Sequence, residues 1–155
     1  MPAYVTIRGG PYPGVSRARI RRWAERMLGA LELQNAELSL LLTDDDTIRL
    51  LNRAHRCEDR PTDVLAFAMR EGDAKAPEGG PAADMLGDVV ISIPTAARHA
   101  KKGKRTVDAE LRMLLAHGLL HLLGHDHPTR ALRRTMVARA RALCDAACKP
   151  GTRRQ

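Results

Sequence analysis

The spacing of apolar residues along this chain changes several times, and each change predicts a new element. Tyr4 to Arg8 alternates like a short strand and runs into the loop Gly9 to Gly14, rich in Gly and Pro. Val15 to Leu31 places Val15, Ile20, Trp23, Met27 and Leu28 at helical spacing, which predicts an amphipathic helix. Glu37 to Leu42 reads as a strand. Thr43, followed by Asp44, Asp45 and Asp46, supplies a capping hydroxyl and carboxylates suited to a helix N-terminus. That helix carries Ile48, Leu50 and Leu51 and ends before Pro61. Val64 to Met69 and Leu86 to Ile93 read as strands. Between them Glu71 to Asp84 is rich in Gly, Pro and Ala without periodicity, which predicts an exposed, mobile loop. Helices are expected over Pro94 to Lys101, Thr106 to Leu123 and Pro128 to Cys148, with a frayed tail from Lys149 to Gln155. Neither a repeat nor a linker interrupts the pattern. It predicts one α+β domain over residues 1–155, a small mixed four-stranded sheet packed against about five helices.

Composition narrows the class. No apolar run reaches the length of a membrane span, and the N-terminus lacks the charged-then-apolar plan of a signal peptide, so a cytoplasmic protein without a membrane partner is expected. Three cysteines, an odd number, do not make a disulfide framework. Cys144 and Cys148 lie one helical turn apart, but no other Cys or clustered His accompanies them, so they read as small helix-face residues. The net charge is +8. Basic residues gather at Arg17, Arg19, Arg21, Arg22 and Arg26; at Arg98, Lys101, Lys102, Lys104 and Arg105; and at Arg130, Arg133, Arg134, Arg139 and Arg141. Acidic residues collect between Asp44 and Asp88. Such patches attract a polyanion through phosphate neutralisation, although solvated faces in an arginine-preferring chain would look the same. Aromatic residues are scarce, so any RNA contact would run through the backbone and arginine rather than base stacking.

The densest chemistry is His117-Gly-Leu-Leu-His121-Leu-Leu-Gly124-His125-Asp126-His127. Three of these histidines fall at H-x-x-x-H-x-x-G-x-x-H, the zinc-binding frame of metzincin peptidases, except that Gly118 stands where those enzymes carry their catalytic Glu. His117 and His121 are one turn apart and share a helix face. Gly124 can end the helix and turn the chain back so that His127 joins them. Three imidazoles leave a coordination position open, as in catalytic zinc sites. The pattern points to metal-dependent hydrolysis of something other than a peptide.

Together with Leu51-Asn-Arg-Ala-His-Arg56-Cys-Glu-Asp-Arg-Pro61-Thr62-Asp63-Val64-Leu65-Ala-Phe67 and Leu86-Gly87-Asp88-Val89-Val90-Ile91-Ser92, this run resembles the signature stretches of the bacterial YbeY family. The resemblance implies an α+β, zincin-related fold with the metal helix lying across the sheet. It implies one zinc ion on His117, His121 and His127, with catalysis depending on His117 and on Arg56. The implied activity is single-strand-specific endoribonuclease cleavage in ribosomal RNA processing, notably maturation of the 16S rRNA 3′ end, and in ribosome quality control. Implied partners are ribosomal RNA, the small ribosomal subunit and its assembly factors; no DNA partner is expected. Cys57 stands where relatives often have Gly, and Ala66 and Ala68 replace the more usual Ser and Pro.

Other polar residues are open to two readings. Asp126 could orient a ligand imidazole or cap the following helix. His125 could shuttle protons or simply pack. Asp63 and Asp88 read as turn or strand-end structure. The sequence offers no obvious substitute for the missing Glu base; water at the ion or the RNA 2′-hydroxyl is the expected nucleophile. A zincin-type metallopeptidase and a non-catalytic ribosome assembly factor with a structural metal are the competing functions, and Gly118 argues against the first.

Overall fold

Parallel strands need a long crossover between them, and this chain supplies helices for that purpose. The computed structural model describes residues 3–69, 85–124 and 130–148. Strand β1 (Ala3–Ile7) passes through helix α1 (Arg17–Ala30) to strand β2 (Glu37–Thr43), which lies parallel to it. Helix α2 (Asp45–Arg56) leads to β3 (Val64–Ala68); β4 (Met85–Ser92) then inserts between β2 and β3. The sheet order is β1-β2-β4-β3, with β4 parallel to β2 and antiparallel to β3. Helices α3 (Ile93–Lys102), α4 (Val107–Leu122) and α5 (Arg130–Cys148) complete the chain. The expected α+β architecture of a four-stranded mixed sheet and five helices is what the described residues form.

Alternation along the strands assigns the two faces of the sheet. Leu38, Leu40, Leu42, Val89 and Ile91 point into the main core, which they share with α1, α4 and α5. On the other face Leu65, Val90 and Ile48 of α2 form a smaller cluster with Leu41, Leu51 and Phe67 at its edge. Helix α1 is tied to its neighbours by polar contacts at both ends. Arg19 pairs with Asp108 at 3.0 Å, and Arg26 donates to Ala147 O at 2.8 Å.

Two local expectations need correction. Thr43 does not cap α2. It ends β2, and its buried Oγ1 has no hydrogen-bond partner, while Asp44 Oδ1 accepts the Thr47 N–H at 2.8 Å. A carboxylate at the cap satisfies that orphan donor and also meets the positive end of the helix dipole. The basic clusters are also less free than their composition suggests. Arg19, Arg98 and Arg105 are held by Asp108, Asp45 and Glu110. The loop expected over Glu71 to Asp84 and the tail from Lys149 lie outside the described residues. Cys144 packs against the core as expected of a helix-face residue, and burial pushes its thiol pKa up.

Candidate functional site

Helix α4 is the scaffold of the site. Thr106 caps it by accepting the Ala109 N–H at 3.0 Å, and Asp108 and Glu110 in the first turn suit its positive end. Leu111, Leu114, Leu115, Leu119, Leu120 and Leu122 are buried, so the helix is apolar on most sides. His117 and His121 interrupt that surface. Both are half-buried, with ring centroids 4.7 Å apart and planes tilted by 56°. The helix closes at Leu123, and Gly124 follows with φ +86°, the left-handed turn anticipated there.

Gly118 has a packing reason. A Cβ built on it would lie 2.7 Å from Val89 Cγ1 and 3.4 Å from Val64 Cγ2. The helix therefore rests on β3 and β4 at glycine distance. A glutamate could not stand where peptidases place theirs without pushing the sheet away.

Helix α2 delivers the second component. Its last residue, Arg56, is exposed and donates from NH2 to Ala66 O on β3 at 3.3 Å. The chain then turns through Cys57, whose φ of +57° and ψ of 25° are left-handed. That conformation suits glycine and strains other residues, Cys57 among them. Buried Asn52 organises the turn. Its backbone carbonyl accepts the N–H of Cys57, and its side-chain amide donates to Arg60 O at 2.9 Å.

These elements enclose a cleft of about 510 Å³, with Arg56, Asp63, His99, His117, Gly118 and His121 on its walls. Arg56, His117 and His121, singled out in the sequence, are thus brought together. His127, the third expected ligand, lies outside the described residues, as do His125 and Asp126. The pair of adjacent imidazoles opening into one cleft fits a borderline metal ion such as zinc, for which neutral imidazole is a preferred donor. Asp88 is not part of this cleft. It faces the other side of the sheet, in a separate hollow with Arg8, Ser39, His55 and Phe67.

Sequence reasoning missed one grouping. Asp63 at the entry to β3, His99 on α3 and Glu110 on α4 bring ligand atoms within 4.8 Å of one another, a set that could hold a metal ion. Asp63 had read as turn or strand-end structure. The available signal was on α4, where Glu110 lies seven residues before His117 and so on the same face. Nearby, burial raises the pKa of the Asp45 carboxyl. The hydroxyls of Ser92 and Thr95 and the Arg98 guanidinium more than offset this and hold it below the ordinary value. The contacts fix the start of α3 against α2.

Comparison with known proteins gives a consistent picture. A family model described as Endoribonuclease YbeY matches residues 13–147. Endoribonuclease YbeY of Anaeromyxobacter dehalogenans (strain 2CP-C) is 47% identical over 150 residues, covering 92% of this chain and 74% of that protein. The Endoribonuclease YbeY of Myxococcus xanthus (strain DK1622) is 51% identical over 125 residues; the match spans 80% of this chain but only 41% of that relative. The solution structure of TM1509 from Thermotoga maritima is similar with a TM-score of 0.63 and 23% identity, covering 94% of this chain and 88% of that one. At that identity the likeness is one of fold.

Proposed function

The chain belongs to the endoribonuclease YbeY family, and on that premise we propose that it is a zinc-dependent endoribonuclease cutting single-stranded RNA. The observation that carries the reading is the convergence of Arg56, His117 and His121 on one cleft. His117 and His121, with His127, would hold the ion, and such an ion supplies Lewis-acid polarisation of a phosphoryl oxygen. Arg56 acts on the phosphate directly. Its planar fork of N–H donors matches two phosphate oxygens, and one N–H engaged by Ala66 O anchors the guanidinium to β3. Holding the scissile phosphate in this way contributes both orientation and charge stabilisation.

The same proposal extends to the setting. Residues 1–155 act as one domain in the cytoplasm, on ribosomal RNA, with the small ribosomal subunit and its assembly factors as partners. Maturation of the 16S rRNA 3′ end and ribosome quality control are the processes served. No helix among the described residues is long and apolar enough to cross a membrane. The exposed lysines Lys101, Lys102 and Lys104 and the exposed Arg133, Arg134, Arg139 and Arg141 of α5 offer the positive charge that a polyanion needs. The metallopeptidase alternative fails at Gly118, where the sheet occupies the space of a catalytic glutamate.

The deciding experiment compares purified wild-type, Arg56→Ala and His117→Ala chains on single- and double-stranded RNA. Metal analysis and end-mapping of precursor ribosomal RNA in wild-type and Arg56→Ala strains accompany it. Cutting confined to single strands, about 100-fold or more slower without Arg56 while the fold persists, is expected. Full activity in both variants would sink the reading.

A further inference from the structure

We propose that Asp63, His99 and Glu110 form a second divalent-cation site, separate from the histidines of α4 and further along the same cleft. The three residues come from different parts of the chain, the residue before β3, α3 and α4. One imidazole nitrogen and two carboxylate oxygens make a mixed donor set suited to Mn²⁺ or Zn²⁺, with the remaining positions left to water. Asp63 Oδ2 and His99 Nδ1 already lie 3.4 Å apart, and both residues line the cleft, so an ion can enter from solvent.

The surroundings of Glu110 leave it able to contribute an oxygen. A carboxylate on a residue only 6% exposed requires a positive partner. Arg105 provides one, but it donates both Nε and NH2 to the same oxygen, Oε1. Oε2 takes no part in that pair. Counting Asp63, Glu110 and Arg105 with a neutral His99, the group keeps one net negative charge. That residual negative charge draws a cation toward the group.

The location bears on the function proposed above, on which the site's role, though not its binding, depends. Seven residues of α-helix separate Glu110 from His117, roughly 10 Å along the axis. That is well beyond the roughly 3.5–4 Å of a two-metal centre sharing one phosphate. A cation here would instead grip a neighbouring phosphate of the RNA strand and set its register in the cleft.

The test removes the first site and asks whether a second remains. The His117→Ala/His121→Ala chain, stripped of metal, is titrated with Mn²⁺ and free Mn²⁺ is followed by electron paramagnetic resonance. One bound ion per chain is expected, weakened ~10-fold or more by adding Asp63→Asn or His99→Ala. Titration of the zinc-loaded wild-type chain gives the same count by a second route. Arg105→Ala should tighten Mn²⁺ binding, because the competing cation is gone, and should enlarge the thermal stabilisation by Mn²⁺. No uptake by the double variant and the zinc-loaded chain, or uptake indifferent to Asp63→Asn and His99→Ala, overturns the proposal. These measurements use no RNA, so they stand or fall apart from the nuclease reading.

Discussion

Helices α4 and α5 pack against one another and are of similar length, 16 and 19 residues, yet they are built to opposite plans. Helix α4 touches β3, β4, α1, α3 and α5, and its apolar residues face several directions. Helix α5 packs on α1 and α4 and buries one stripe, Met136, Ala140, Leu143 and Ala147. Its other side carries Arg133, Arg134 and Arg141 around exposed Val137. The two described histidines of the proposed metal site sit on the enclosed helix. Neighbours on several sides fix the helix from which His117 and His121 project into the cleft, whereas a one-sided helix offers adaptable charge. Precision and electrostatic reach are thus divided between two adjacent helices.

The contrast can be broken at its strongest point first. Replacing His117 with Ala on α4 should slow single-strand cleavage by ~10³-fold or more, about 4 kcal/mol of transition-state stabilisation, with little change in the metal-free melting temperature. Single-turnover kinetics beside a melting curve checks this, and retained cleavage would refute the assignment. Next, Gly118→Glu should destabilise by ~3 kcal/mol or more, since it overpacks Val89 and buries a charge. Ala138→Glu on the exposed side of α5 should change stability by less than ~0.5 kcal/mol. Similar urea midpoints for the two variants would erase the distinction between the helices.

Helix α3 tests an intermediate degree of enclosure. Asp45, which clamps its start, has a folded pKa below the ordinary 3.8. Its contribution is therefore complete above that value and is lost as pH falls through the folded pKa. Asp45→Asn should cost ~1–2 kcal/mol at pH 7 and flatten the loss of stability between pH 5 and 2. Urea midpoints across that range measure both. The smallest effect belongs to α5. Arg133→Ala/Arg134→Ala should weaken single-stranded RNA binding only several-fold. It should reduce the slope of log affinity against log salt by about 1.4, near 0.7 per phosphate contact. An unchanged slope would mean that α5 does not face the RNA.

Much of this was legible in the chain because local rules decided it. Apart from the end of α2, which Pro61 bounded only loosely and which falls at Arg56, each strand and helix was placed by periodicity to within two residues where it is described. The left-handed Gly124 and the pairing of His117 with His121 followed from spacing alone. The cap of α2 was misread because Thr43 and Asp44 are both good capping residues, and only the buried end of β2 decides between them. The reason for Gly118 was hidden, since it lies in Val89 and Val64 across a helix–sheet contact. Asp63, His99 and Glu110 escaped notice for the same reason. They are remote in sequence, and no short spacing announces them.

The glycine contact between α4 and the sheet also constrains where this chain can go by mutation. A peptidase-like glutamate at position 118 cannot be acquired in one step, because the intermediate would be too unstable to be retained. Val89, and to a lesser degree Val64, would have to shrink first, and each such change opens a cavity while no glutamate fills it. The two chemistries therefore lie on either side of a fitness valley at least two substitutions wide, even though their histidine spacings are the same.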